Sequence, residues 1–196
     1  MRLLCLGDSL TFGFALPRGR TWPALAAAQV GLELFNRAVN GNTTGGMLAA
    51  FFPEVKAVQP DLVFLMGGGN DILYGGDLAG AKANLGCLAH LTCSLGLVPV
   101  IGVPPPVCPP VRRDWMDFID LERAGRQGEE YAGWLRGLCA AFGFPALDFA
   151  RGLPQAAARE GKALRDYYLE DGLHPNLPGH EHMAQIAAQA LAPFGR

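Results

Sequence analysis

The chain has 196 residues, half of them hydrophobic, enough to bury a sizeable core within the size range of one domain, so residues 1–196 are read as a single domain. A formal net charge of −2 excludes the electrostatic footprint of a nucleic-acid or anionic-lipid binder. No apolar run reaches the roughly 18 residues of a membrane span, and Leu3–Leu6 is too short for a signal peptide, so the expected location is cytoplasmic.

Taken in chain order, Arg2–Leu6 reads as a buried strand that stops abruptly at the polar turn Gly7-Asp8-Ser9. A loop is expected to about Arg20, after which Thr21 caps a helix over Trp22–Val30, with Pro23 tolerated in its first turn. Leu32–Val39 is a second strand, and Thr43 or Thr44 to Ala57 carries a helical pattern interrupted by Pro53. Asp61–Met66 (DLVFLM) is a third buried strand, stopped by Gly67-Gly68-Gly69. Apolar residues then recur at Leu78, Ala81, Leu85, Leu88, Leu91 and Leu95, close to a helical period. Leu97–Val103 is a fourth strand, followed by the proline-rich Pro104–Pro110. A helical stretch from about Asp117 to Phe142, a short strand at Pro145–Asp148 and a last helix from about Leu177 to Leu191 complete the pattern.

Strands alternating with helices predict an α/β fold, a three-layer α/β/α sandwich around an about five-stranded parallel sheet. In such sheets ligands bind in loops beyond the carboxyl ends of the strands. Gly7-Asp8-Ser9, Asn40-Gly41-Asn42 and Gly69-Asn70-Asp71 each follow a predicted strand, so they share one rim. The cluster Asp171…His174 precedes the last helix and has access to the same rim.

These four clusters resemble, in order, the sequence blocks of the SGNH hydrolases, the GDSL lipase/esterase family. GDSLTFG resembles the block around the nucleophile, NRAVNGNTTGG the second, GGGNDI the third and DGLHPNLPGH the last, spanning residues 7–180. The resemblance implies a flavodoxin-like fold and an acylhydrolase active on ester or thioester substrates. Its oxyanion hole is then formed by the Ser9 N–H, the Gly41 N–H and the Asn70 side chain. The residues support the same chemistry independently. A serine hydroxyl reacts only when a neighbouring base takes its proton. His174 is such a base if Asp171, three residues upstream, holds its other ring nitrogen. Glycine at 41 permits close backbone approach to a ligand. Asn42 departs from the family, which often has Asp there, and is expected to alter only local hydrogen bonding.

Single residues also admit other readings. Ser9 also suits a helix cap, and Asn70 an Asx turn. Asp8 and Asp71 read as structural groups that fix their loops. Thr11 breaks the G-x-S-x-G elbow of α/β-hydrolases. A phosphate-binding loop, and with it a non-catalytic flavodoxin-like binding module, is disfavoured by Asp8 and by the lack of Lys or Arg between Gly7 and Pro17. His180 and His182 do not share a helix face, so His180 reads as a structural partner and His182 as a surface residue. No metal site and no cofactor are assigned. The five cysteines, Cys5, Cys87, Cys93, Cys108 and Cys139, form no CxxC pair and read as buried hydrophobes or idle thiols. The segment Val107–Trp115 is either a plain crossover or a wall of the acyl pocket. Within the family, lysophospholipase and carbohydrate acetyl-esterase activities stay open; the expected partner is a small acyl ester.

Overall fold

Short apolar strands form a single sheet in the computed structural model, which describes residues 1–195 apart from 113, 115, 116 and 118. The strands are β1 (Arg2–Gly7), β2 (Glu33–Asn36), β3 (Leu62–Met66), β4 (Val98–Val103) and β5 (Ala146–Asp148). All five are parallel, in the order β2-β1-β3-β4-β5. Because side chains alternate along a strand, each strand supplies both faces. Leu4, Leu6, Val63, Leu65, Ile101 and Val103 meet the helices α3 (Thr44–Val58), α4 (Leu78–Ser94) and α5 (Leu121–Phe142). Leu3, Cys5, Phe64, Met66, Val100 and Leu147 meet α2 (Trp22–Val30) and α7 (Leu177–Leu191). Burial on both faces explains why the strands read as uninterrupted apolar runs. The three-layer α/β/α expectation therefore matches the structure.

The chain steps from β1 outward to β2, then crosses back past β1 to β3. This reversal opens a crevice above the carboxyl ends of β1 and β3, where their following loops diverge in opposite directions. Register is tight at that point, with Gly7 paired to Met66. No helix among the described residues is long and apolar enough to cross a membrane.

Several elements differ from expectation. The second strand is shorter than Leu32–Val39, although the segment after Asn36 still runs beside β1 to its end: the Arg37 N–H donates to the Cys5 carbonyl over 2.9 Å and the Val39 N–H to the Gly7 carbonyl over 3.1 Å. Helix α3 runs unbroken through Pro53, which lies on its exposed face, where loss of one backbone bond is least costly. The loop expected before Arg20 begins with a short helix, α1 (Ser9–Phe12), capped by Asp8. Helix α6 (Phe149–Arg159) was not expected, and it contains Gly152 and Pro154, both poor helix formers. It forms because Asp148 caps it, accepting from the Arg151 N–H, and because Phe149, Leu153, Ala156 and Ala157 bury one face. Helix α5 starts at Leu121 rather than near Asp117, where Asp120 accepts from the Arg123 N–H.

Leu65 lies at the fully buried centre of β3. Leu65→Ala is expected to cost about 2–5 kcal/mol. The measurement is a urea titration, with a lower midpoint at unchanged slope; a loss under about 1 kcal/mol would contradict a tightly filled centre.

Candidate active site

At the end of β1 the backbone turns sharply, and Asp8 accepts the Leu10 N–H over 2.9 Å as the cap of α1. This puts Ser9 at the first helical position, buried, on the floor of the crevice. Its Oγ lies 2.8 Å from His174 Nε2. On the other side of the ring, His174 Nδ1 lies 2.6 Å from Asp171 Oδ2. Asp171 Oδ1 also accepts the backbone N–H groups of Leu173 (2.9 Å) and His174 (3.0 Å). Burial pushes the Asp171 carboxyl up, but the bonds from the imidazole and the two amides outweigh it and hold the group below its ordinary range. An ionised carboxylate at Nδ1 requires that nitrogen to carry the hydrogen, which leaves Nε2 to accept from the Ser9 hydroxyl.

Backbone bonds hold the Asp171–His174 loop from outside. The Cys108 N–H donates to the Gly172 carbonyl (2.8 Å) and the Arg112 N–H to the Asp171 carbonyl (3.2 Å). Gly172 has φ +73°, and a Cβ there would lie 2.6 Å from the carbonyl oxygens of Cys108 and Pro110. The proline-rich segment is thus a strap over this loop. Tyr168 fastens it further by donating its hydroxyl to the Pro106 carbonyl over 2.6 Å.

The remaining candidates converge on the same rim. Gly41 has φ +74°, a left-handed conformation that disfavours any side chain, and no atom lies within 4 Å of where a Cβ would stand. Asn70 Nδ2 donates to the Asn42 carbonyl over 2.8 Å, and Asn42 Nδ2 donates to the Gly7 carbonyl over 3.4 Å. Position 42 therefore ties three loops together through its backbone and its amide. Asp71 reaches beyond its own loop: it accepts the Thr44 hydroxyl over 2.6 Å and the Thr44 N–H over 3.0 Å.

Ser9, Gly41, Asn70 and His174 border one cleft of about 560 Å³, within the range of about 300–1,000 Å³ usual for ligand pockets. Of the segment Val107–Trp115, read as a plain crossover or a pocket wall, Val107 lines the cleft together with the preceding Pro104, Pro105 and Pro106, whereas Arg113 and Trp115 lie outside the described residues. Sequence reasoning missed Phe14, Tyr74 and the α5 residues Gly128 and Ala132, which also line it. Gly128 and Ala132 lie within the helical stretch read from the sequence, which carried no indication of what that helix faces.

The secondary histidines separate clearly. His180 Nδ1 accepts the Trp22 N–H over 3.0 Å, capping α2, and burial followed by the nearby His174 charge pushes it down to about 4. His182 is not a bare surface residue: its Nε2 lies 3.0 Å from Glu160 Oε1, and its ring meets the Tyr167 ring edge-on. Short-range periodicity gave no sign of Glu160, which follows α6. All five cysteines are free thiols, with Cys5, Cys108 and Cys139 buried and Cys87 and Cys93 exposed.

With this geometry in hand, comparison with known proteins decides the relationship. The model of the GDSL-like lipase/acylhydrolase family matches residues 5–182. The chain belongs to this family. Membership makes it a hydrolase of the ester-cleaving class. An arylesterase of Vibrio mimicus is 38% identical over 79 residues, 38% of this chain and 40% of that protein's length. The thioesterase 1/protease 1/lysophospholipase L1 of Escherichia coli strain K12 is 25% identical over 195 residues, 98% of this chain and 84% of that protein. A crystal structure of a lipolytic G-D-S-L family member from Veillonella parvula superimposes with a TM-score of 0.78 at 25% identity, covering 96% of each chain.

Asp8 carries a titration that the fold imposes. Burial, reinforced by the Asp71 charge and opposed by the Leu10 amide, pushes its carboxyl up to about 7. Because the folded value exceeds the unfolded one, its contribution to stability is complete below the ordinary carboxylate range. That contribution is lost as pH rises through about 7. Asp8→Asn keeps an oxygen for the Leu10 cap and removes the titration. Its stability relative to the parent should therefore rise between pH 4.5 and 7.5 and level off above. Urea titrations across that range test this; a difference that does not change with pH would contradict it.

Proposed function

We propose that the protein is a serine esterase or acylhydrolase that cleaves a carboxylic ester through an acyl-enzyme on Ser9. The observation that carries this reading is the unbroken chain from Ser9 Oγ through the His174 ring to the Asp171 carboxylate. In this reading His174 Nε2 takes the Ser9 proton as the oxygen attacks the acyl carbon. Asp171 holds the ring in the required tautomer and stabilises the imidazolium that forms. Negative charge develops on the former carbonyl oxygen. It is met by the Ser9 N–H, which at the first helical position has no acceptor within α1. The Gly41 N–H and the Asn70 amide complete the oxyanion hole. One Asn70 N–H is engaged with the Asn42 carbonyl, which orients the group and leaves its second N–H for the substrate. Preorganised donors of this kind contribute roughly 10²–10³ in rate each.

Collapse of the intermediate expels the alcohol, which collects its proton from His174. Water, activated by the same nitrogen, then attacks the acyl-enzyme and frees the acid. The Escherichia coli relative carries thioesterase and lysophospholipase in its name, so thioesters belong among the substrates to be assayed.

The test is hydrolysis of p-nitrophenyl acetate and butyrate with no added metal. Ser9→Ala is expected to lower kcat by at least about 10⁴-fold, and Asn70→Ala by about 10²-fold with little change in KM. Turnover by Ser9→Ala within tenfold of the parent would exclude the mechanism.

A further inference from the structure

We propose that Phe14 is a positioning residue for the base: its ring keeps the His174 imidazole on Ser9 and favours the imidazolium formed when Ser9 loses its proton. The inference rests on the Ser9–His174 reading above. The Phe14 and His174 ring centroids are 4.4 Å apart with a tilt of 32°. The backbone anchors the ring to the reacting residue, because the Phe14 N–H donates to the Ser9 carbonyl over 3.1 Å. The Gly13 N–H donates to the same carbonyl over 2.9 Å, and the turn closes from the Leu16 N–H to the Gly13 carbonyl. Immediately beyond, Ala15 holds φ +61°, a left-handed conformation that residues with a Cβ adopt only when their surroundings impose it. Serine and phenyl ring therefore belong to one rigid turn, and the imidazole sits between Ser9 Oγ and the aromatic face.

Burial does not account for Phe14, which is 37% exposed although the apolar core below is extensive. Its ring instead borders the cleft and covers the imidazole. A phenyl face carries partial negative charge and attracts a cation within about 6 Å of its centroid. Neutral imidazole gains little from that charge, whereas imidazolium gains more, so the contact strengthens as the proton moves from Oγ to Nε2. Other groups around the imidazole act from fixed places. Asp171 holds Nδ1, buried His180 approaches from α7, Asp8 neighbours Ser9, and Arg112 acts on Asp171 from the strap. None of these is altered when Phe14 alone is replaced.

The experiment compares Phe14→Ala, Phe14→Leu and Phe14→Tyr with the parent and with Ser9→Ala on p-nitrophenyl acetate, reading kcat, KM and the pH profile of kcat/KM. Phe14→Ala should lower kcat about tenfold, keep KM within about twofold, and move the acidic limb of the profile to lower pH. Tyrosine should restore kcat and the profile; leucine, which fills space without a π face, should restore kcat in part and leave the limb displaced. A kcat for Phe14→Ala within twofold of the parent would overturn the proposal. So would a rise in KM alone, which makes the ring a substrate wall, or a leucine variant equal to the parent. A dead Ser9→Ala beside an unaffected Phe14→Ala defeats this inference alone; an active Ser9→Ala defeats the reading beneath it. Thermal melting checks that each variant is folded.

Discussion

Parallel pairing with both faces covered is the constraint on which the rest of this molecule depends. A parallel strand cannot return by a tight hairpin, so each must be followed by a crossover that leaves from the same edge of the sheet. Three consecutive polar clusters are thereby delivered to one rim although Ser9 and Asn70 lie 61 positions apart in sequence. The reversal of winding between β1 and β3 then parts the first and third clusters and leaves room between them. The fold supplies the crevice before any side chain is considered.

What converts a crevice into a site of fixed geometry is a set of side-chain bonds to the backbone and side chains of neighbouring segments. Asn70 bonds the carbonyl of residue 42, Asp71 binds Thr44, Asn84 supports Thr44 over 3.1 Å, and Asn36 donates to the Thr11 carbonyl over 2.8 Å. Each bond contributes about 1 kcal/mol net, but loss of one partner leaves a shielded polar group unpaired at greater cost. Such a network resists partial rearrangement. It also explains how a carboxyl as deeply enclosed as Asp8 is tolerated beside Ser9, since its neutral form is the stable one over much of the acidic range.

The strands were legible because full burial writes itself as apolar runs bounded by glycine, and the helix starts at Trp22, Leu78 and Leu177 were legible too, although Thr21 makes no side-chain bond to α2; the start at Leu121 was not, even though Asp120 caps it. Ser9, Asp171 and His174 could be singled out because their blocks resemble those of a known family, and because the chemistry of each requires the others. What escaped notice depended on tertiary context. Helix α6 survives Gly152 and Pro154 because its apolar face has a partner. The strap acts through backbone N–H and C=O groups, which every residue possesses, so no residue type marks it. Phe14 looked like any aromatic in a loop, since the ring it covers belongs to residue 174. Glu160 and His182 meet only once α6 and α7 lie together.

The contact between Ser9 and His174 joins positions 165 residues apart, and the bond from Trp22 to His180 joins positions 158 apart. During synthesis, at about 5–20 residues per second, the serine is made well before the imidazole. Docking of α7 against α2 is therefore the step that brings the two together, and it is also the step that completes one side of the core. Until that docking, the Ser9 hydroxyl has no imidazole beside it. The contact between serine and histidine and the closed core therefore arrive together.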